Sequence, residues 1–338
     1  MFKKIYRGII DFVKEEWLFL ISVITISIIC CWPVDYYIII GGGISDVGER
    51  IKVENGTDSK GSFNLSYVSE LKGTTVSYLL SYVIPGWERV GIDYYQYDEN
   101  DDFDDIKFRG ELDLKNANSV AIKNAYELAQ KKCDIESTNI YVIAKFSEFD
   151  SNLEIKDKIV SINGKSFDSI LKYQQYMQTL DADKEVSVVV LRDGKEVTVK
   201  NKLYDYNGRK ILGISLNYYY ELDVKPKVNI NFNSGESGPS GGLMTTLEIY
   251  DQLVKKDITK GYTIAGTGTI EEDGSVGEIG GVSHKVYGAD DGGANIFLVP
   301  TGKNYEEAIK TKKEKNLNIK IYAVSTVEDA IKVLDELE

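Results

Sequence analysis

Residues 235–244 read Gly235-Glu236-Ser237-Gly238-Pro239-Ser240-Gly241-Gly242-Leu243-Met244. The glycines and the proline force a tight turn, and the apolar spacing from Leu243 onward predicts a helix over 241–255. A strand predicted over 228–232 leads into the turn. Ser240 is thereby set at a helix N-terminus, where backbone N–H groups without helical partners can cradle an oxyanion. The same residues also suit a plain loop ending in a helix cap. The pattern gains chemical meaning only with a base, because a serine hydroxyl is a weak nucleophile until its proton is taken.

Two candidate bases lie downstream in Gly280-Gly281-Val282-Ser283-His284-Lys285. His284 is the only histidine in 338 residues. A Ser-His-Asp triad would therefore have to run through it, and a multi-histidine metal centre within one chain is excluded. His284 and Lys285 are adjacent on a predicted helix over 282–288, so they point about 100° apart and cannot both face Ser240. A lysine can act as the base where burial disfavours its ammonium form. Serine-lysine dyads are an established variant of the triad logic.

Around this stretch, residues 206–338 alternate predicted strands (211–216, 228–232, 262–266, 296–299, 319–324) with predicted helices (241–255, 282–288, 305–315, 326–337), an α/β pattern. The connections do not keep a strict βαβ rhythm, so a doubly wound sheet is not expected. Gly238-Pro-Ser-Gly-Gly, Gly266-Thr-Gly-Thr-Ile, Gly277-Glu-Ile-Gly-Gly-Val-Ser-His-Lys and Ile296-Phe-Leu-Val-Pro occur in that order. In that order and spacing they resemble the proteolytic domain of the Lon family.

The resemblance implies that Ser240 is the nucleophile, that Lys285 is its general base, and that Thr267 hydrogen-bonds and orients the lysine. No cofactor or metal is expected at such a site. Two departures from the family pattern stand out: Gly241 where alanine is frequent, and Ser283-His284 where charged or amide residues are frequent. The second makes His284 a surface residue in this reading. No Gly-x-x-x-x-Gly-Lys-Ser/Thr phosphate loop occurs in the sequence, so ATP-driven unfolding is not expected.

Upstream, residues 133–205 read as a small β-rich domain with one helix. Ile140–Ala144 is a strand, 153–165 a turn, a strand and an Asn163-Gly164 hairpin turn, 169–179 a helix, and 186–199 a hairpin about Asp193-Gly194. Lys156-Asp-Lys-Ile-Val-Ser-Ile-Asn-Gly and Leu191-Arg-Asp-Gly-Lys resemble PDZ domains of the bacterial protease type, which bind extended peptides at a sheet edge beside a helix. An unrelated small β domain is the alternative. No carboxylate-binding Gly-Leu-Gly-Phe loop is visible near residues 138–142, so internal segments and free C-termini are equally open as ligands.

Residues 35–132 are the least informative. The run from Pro33 to Gly43 reads as an extended strand ending in a glycine turn, and 119–132 has helical spacing. Asp98-Glu-Asn-Asp-Asp-Phe-Asp-Asp is read as a solvated loop, since it lacks the glycine and the terminal glutamate of a calcium-binding EF loop.

At the front, residues 17–34 carry no charge, are bracketed by Trp17 and Trp32, and follow Lys3, Lys4, Arg7 and Lys14. They read as one transmembrane helix with a cytoplasmic segment 1–16 before it and everything after it extracytoplasmic. A cleaved signal peptide would need a small-x-small site that 28–32 does not offer, and a buried core helix is the other alternative. The net charge of −13 argues against a nucleic-acid binder. Cys30, Cys31 and Cys133 supply no disulfide framework.

The whole chain thus resembles membrane-anchored, PDZ-containing, Lon-like serine peptidases of bacteria. The implied architecture is a transmembrane helix (17–34), an extracytoplasmic region (35–132), a PDZ-like domain (133–205) and an α/β, α+β Lon-like domain (206–338). The implied partners are a polypeptide substrate, the membrane and, from the ring assembly of Lon domains, further copies of the chain. The competing function is a catalytically silent scaffold that only binds peptides.

Overall fold

The computed structural model describes residues 5–6, 12–98, 101–233 and 235–337. Lys3, Lys4 and Arg7, on which the membrane orientation rests, lie outside the described residues, as do Glu99 and Asn100 of the acidic run. Two compact units emerge, one from Met1–Gly41 with Val68–Tyr95, the other from Gly42–Tyr67 with Gln96–Glu338.

In the first unit, helix Trp17–Cys31 is followed by the start of strand Pro33–Asp46. The expected transmembrane helix over 17–34 is not found. The helix stops at Cys31 because Pro33 cannot supply a helical N–H and biases the residue before it toward extended backbone. Fifteen residues span about 22 Å, short of the roughly 30 Å hydrocarbon layer. Among the described residues no helix is long and apolar enough to cross a membrane. Tyr36–Ile39 pairs antiparallel with Glu88–Gly91. Helix Thr75–Leu80 opens with a capping box in which Thr74 and Ser77 exchange side-chain and backbone bonds.

The second unit contains the α/β body and a five-stranded antiparallel sheet. In the body, strands Lys320–Val324, Ile296–Pro300, Thr263–Gly266 and the first residues of Ser62–Thr74 lie side by side, all parallel. Their apolar runs are buried on both faces, as parallel strands require. Helices Phe103–Leu128 and Gly242–Val254 cover one side, with Val120, Ala121, Ala125, Leu243 and Leu247 in one core with Phe63 and Ile264. Helix Val282–Asp291 packs through Val282, Val286 and Ala289 into a second core with Phe297 and Val299. Much of the region the sequence left undefined therefore builds this body.

Three expectations change here. Gly41–Gly43 is not a turn but lies within strand Pro33–Asp46. Helix Val282–Asp291 crosses the strand closely there: a Cβ on Gly288 would sit 3.1 Å from the Gly42 and Gly43 backbone, a tight contact that glycine at 288 avoids. The helix predicted over 119–132 runs instead from Phe103 to Leu128. Its start is the acidic run. Asp102 caps the Asp104 and Asp105 amides, and both of those acids sit in the first turn, where the helix dipole favours them. Asp101 is not solvated either; it is buried and pairs with Arg109 at 2.7 Å.

The antiparallel sheet runs in the order Ile214–Lys225, Lys132–Lys145, Lys158–Ile162, Glu185–Arg192, Lys195–Lys202. Helix Ile170–Gln178 packs on it through Tyr173 and Met177. Lys132–Lys145 pairs with Ile214–Lys225 along its whole length, but with Lys158–Ile162 only at Ile140 and Tyr141. Residues 132–139 thus keep one edge open, beside the helix.

On helix Gly242–Val254, Glu248 is buried with Gln252, whose amide bonds both Ile51 and Val53 of the adjoining strand. Burial, helped by the charges of Asp251 and Asp46, pushes the Glu248 carboxyl up to about 7 against the opposing bond from Gln252. A carboxyl with a raised folded pKa binds more protons folded than unfolded, so stability falls as pH rises through 4.5 to 7. Glu248→Gln should stabilise the protein by about 2–3 kcal/mol at pH 8, with the gain vanishing near pH 4.5. Urea unfolding of both proteins at the two pH values measures it.

Candidate active site

The serine loop is fastened at both ends before it reaches Ser240. The Asn231 amide donates to the Arg50 carbonyl at 3.0 Å, and the Arg50 guanidinium pairs with Glu236 and lies over the Phe232 ring. The Gly238 amide donates to the Gly110 carbonyl of the long helix at 2.8 Å. Ser240 then stands just before helix Gly242–Val254, half-buried.

The Thr267 segment is stitched to this turn. The Gly268 amide donates to the Ser240 carbonyl at 2.8 Å, and the Leu243 amide donates to the Gly268 carbonyl at 3.2 Å. The Thr267 hydroxyl also donates to the Ser240 carbonyl, at 3.1 Å. Thr267 is itself fixed by its amide, which donates to the Leu298 carbonyl at 3.0 Å. The Gly242 amide donates to Pro239. Among the described residues neither the Ser240 nor the Gly241 amide is engaged by a protein carbonyl. They are the donors available to an oxyanion.

Lys285 lies in helix Val282–Asp291 and is only 4% exposed. Its Nζ donates to the Thr267 hydroxyl at 3.2 Å. The hydroxyl has one proton, and the Ser240 carbonyl accepts it, so only a lone pair of Thr267 can face the amine. The backbone of the lysine is held too: the fully buried Ser66 donates its hydroxyl to the Lys285 carbonyl at 2.7 Å. The three residues singled out in the sequence are therefore brought together in one connected chain, Lys285 to Thr267 to Ser240. The connection runs through the serine carbonyl, not its hydroxyl. His284, on the same helix, is half-buried. Among the described residues no three metal-ligating side chains converge.

Ser66, Arg50 and Gly110 were not found from the sequence. Each acts across more than a hundred residues of chain and sits in no recognisable motif.

The hairpin that follows Thr267, Thr269–Ile270 paired with Val276–Gly277, rests on other elements. At its tip Glu272 accepts from the hydroxyls of Tyr218 and Tyr220, both at 2.5 Å. Asn124 of the long helix donates to the Glu271 carbonyl at 3.0 Å. Burial together with the bond to Glu272 pushes the Tyr218 hydroxyl up to about 12.

A second site is a groove of about 950 Å³ in the antiparallel sheet, between the open edge of 136–139 and helix Ile170–Gln178. Thr138, Asn139, Phe167, Lys172 and Tyr176 line it.

The serine helix and the hairpin meet so closely that a Cβ on Gly242 would lie 2.4 Å from Ile270 Cγ2 and 3.0 Å from the Ile270 amide nitrogen. Gly242→Ala should therefore cost about 1–3 kcal/mol in urea unfolding, as overpacked sites do. Ser66→Ala, which removes one buried hydrogen bond, should cost about 1 kcal/mol.

Comparison with known proteins finds matches over the regions that hold both sites. Residues 212–336 match the family model of the Lon protease (S16) C-terminal proteolytic domain, and residues 127–203 match that of the PDZ domain. A Lon protease of Buchnera aphidicola subsp. Schizaphis graminum is 31% identical over 126 residues, a match covering 37% of this chain and 15% of that protein. The PDZ domain of an SdrC-like protein from Listeria monocytogenes is 23% identical over 23% of this chain and 85% of its own, with a TM-score of 0.22. Its counterpart from Listeria innocua is 22% identical over 23% of this chain and 92% of its own, with the same TM-score of 0.22. The chain thus carries a PDZ domain within residues 127–203 and, within residues 212–336, a proteolytic domain of the Lon (S16) family.

Proposed function

We propose that the protein is a serine endopeptidase in which Ser240 attacks the scissile carbonyl and Lys285 takes the serine proton. The observation that carries this reading is the buried Lys285 amine donating to Thr267, whose hydroxyl donates in turn to the Ser240 carbonyl. With one amine hydrogen spent on Thr267, a neutral Lys285 retains its lone pair for the Ser240 hydroxyl. Burial is the condition such a base needs, because desolvation disfavours the ammonium. The Ser240 and Gly241 amides then receive the oxyanion, and the lysine returns the proton to the leaving amine.

In the same reading the PDZ groove holds an extended stretch of substrate, added as a strand to the open edge of residues 136–139. The phosphate loop missing from the sequence supports hydrolysis without ATP. The exposed apolar helix Trp17–Cys31 supports retention at a membrane, and the basic residues before it support extracytoplasmic polypeptides as substrates.

Ser240→Ala and Lys285→Ala should each abolish cleavage of an unfolded polypeptide with the fold retained. Lys285→Arg should not rescue, because arginine does not give up its proton. Thr267→Ser should keep most of the activity and Thr267→Val should lose it. Added ATP and magnesium should leave the wild-type rate unchanged. A serine-reactive probe that fails to label Ser240 even with substrate present would instead leave a peptide-binding scaffold.

A further inference from the structure

Helix Trp17–Cys31 has no buried residue and is apolar on every face. A protein groove would cover one face of such a helix; lipid covers all of them. At its C-terminal end the Trp32 carbonyl accepts from both the Thr75 amide, at 2.9 Å, and the Thr75 hydroxyl, at 3.3 Å. These bonds set the segment from Val76 to Trp87 beside the end of the apolar helix.

That segment is itself apolar and outward. Leu79 is 60% exposed, Tyr82 62% and Val83 72%, with Val76 and Leu80 also exposed. Exposed apolar side chains this close together need a partner surface. The aromatics around them are ordered. The Arg89 guanidinium lies 3.8 Å from the Tyr82 ring centroid and 5.9 Å from that of Tyr78, and it bonds Ser81. This is a platform apolar at its rim and cationic behind, suited to the level of lipid headgroups. All three tryptophans of the chain, Trp17, Trp32 and Trp87, fall on this helix, its end and this segment.

We propose that Val76–Trp87 is a second lipid-contacting element, lying in the bilayer interface next to the C-terminal end of helix Trp17–Cys31. It adds apolar surface where that helix is too short to reach across the hydrocarbon layer by itself. The proposal rests on the reading that the protein is held at a membrane, and adds the surface by which its first folded unit lies on the lipid.

The test uses the full chain with Trp17→Phe and Trp32→Phe, which leaves Trp87 as the only tryptophan, mixed with phosphatidylcholine and phosphatidylglycerol vesicles. Trp87 emission should shift to the blue and be quenched by lipids brominated near the headgroup end of the acyl chain. Leu79→Asp with Val83→Asp, in the chain with all tryptophans, should weaken vesicle partitioning about tenfold or more, equivalent to about 1.4 kcal/mol. Binding with Trp87 unquenched and partitioning insensitive to the double variant would overturn the lipid role of the segment and leave the helix as the sole anchor. Absence of any vesicle binding by the full chain would overturn the membrane reading together with this proposal.

Discussion

A lysine amine that is almost wholly removed from water has to be held against its own desolvation, and the α/β body is arranged around that requirement. In the proposed role of a base, Lys285 needs a polar partner that is not an acid, since a carboxylate would favour the charged form. Thr267 meets the need. Its hydroxyl can face the amine with a lone pair only because another acceptor, the Ser240 carbonyl, has taken its proton. The serine turn is thus fixed by the same bond that orients the lysine, and neither residue can shift without disturbing the other. The supporting bonds follow from this coupling. Ser66 pins the lysine backbone from the strand beneath, Leu298 pins Thr267, and Gly110 and Arg50 hold the serine loop from outside.

The turn and the residues of the candidate site were legible because they are written locally. Gly238-Pro-Ser-Gly-Gly dictates a tight turn before a helix, and the motif order places Thr267 and Lys285 without reference to distant residues. The supports were not legible. Ser66 touches a residue 219 positions away, and nothing in its neighbours distinguishes a strand serine that bonds water from one that bonds the helix of Lys285. The acidic run misled for a different reason. Charge density alone suggests a solvated loop, yet acids in the order Asp102, Asp104, Asp105 also describe a cap and the first turn of a helix. The long helix was therefore read from its middle instead of its start. At the N-terminus the uncharged length was legible and its conformation was not, because Pro33 turns the last residues of the run into a strand.

The strand Ile214–Lys225 ties the two domains of the second unit by a short physical route. One of its edges completes the PDZ sheet along the full length of Lys132–Lys145. Its Glu221 lines the groove beside helix Ile170–Gln178, and the preceding Tyr220 bonds Glu272 at the tip of the hairpin that carries on from Thr267. A peptide that adds to the open edge of 136–139 would order the strand whose opposite edge already holds Ile214–Lys225 in register. That register decides where Tyr218 and Tyr220 stand, and these two hydroxyls share one carboxylate oxygen. A slip of one residue would turn the tyrosines to the other face and release Glu272. The hairpin would then lose that anchor at its tip. The antiparallel sheet and the hairpin that follows Thr267 are thus joined through Tyr218, Tyr220 and Glu272, even though the groove and the Lys285–Thr267–Ser240 chain share no residue.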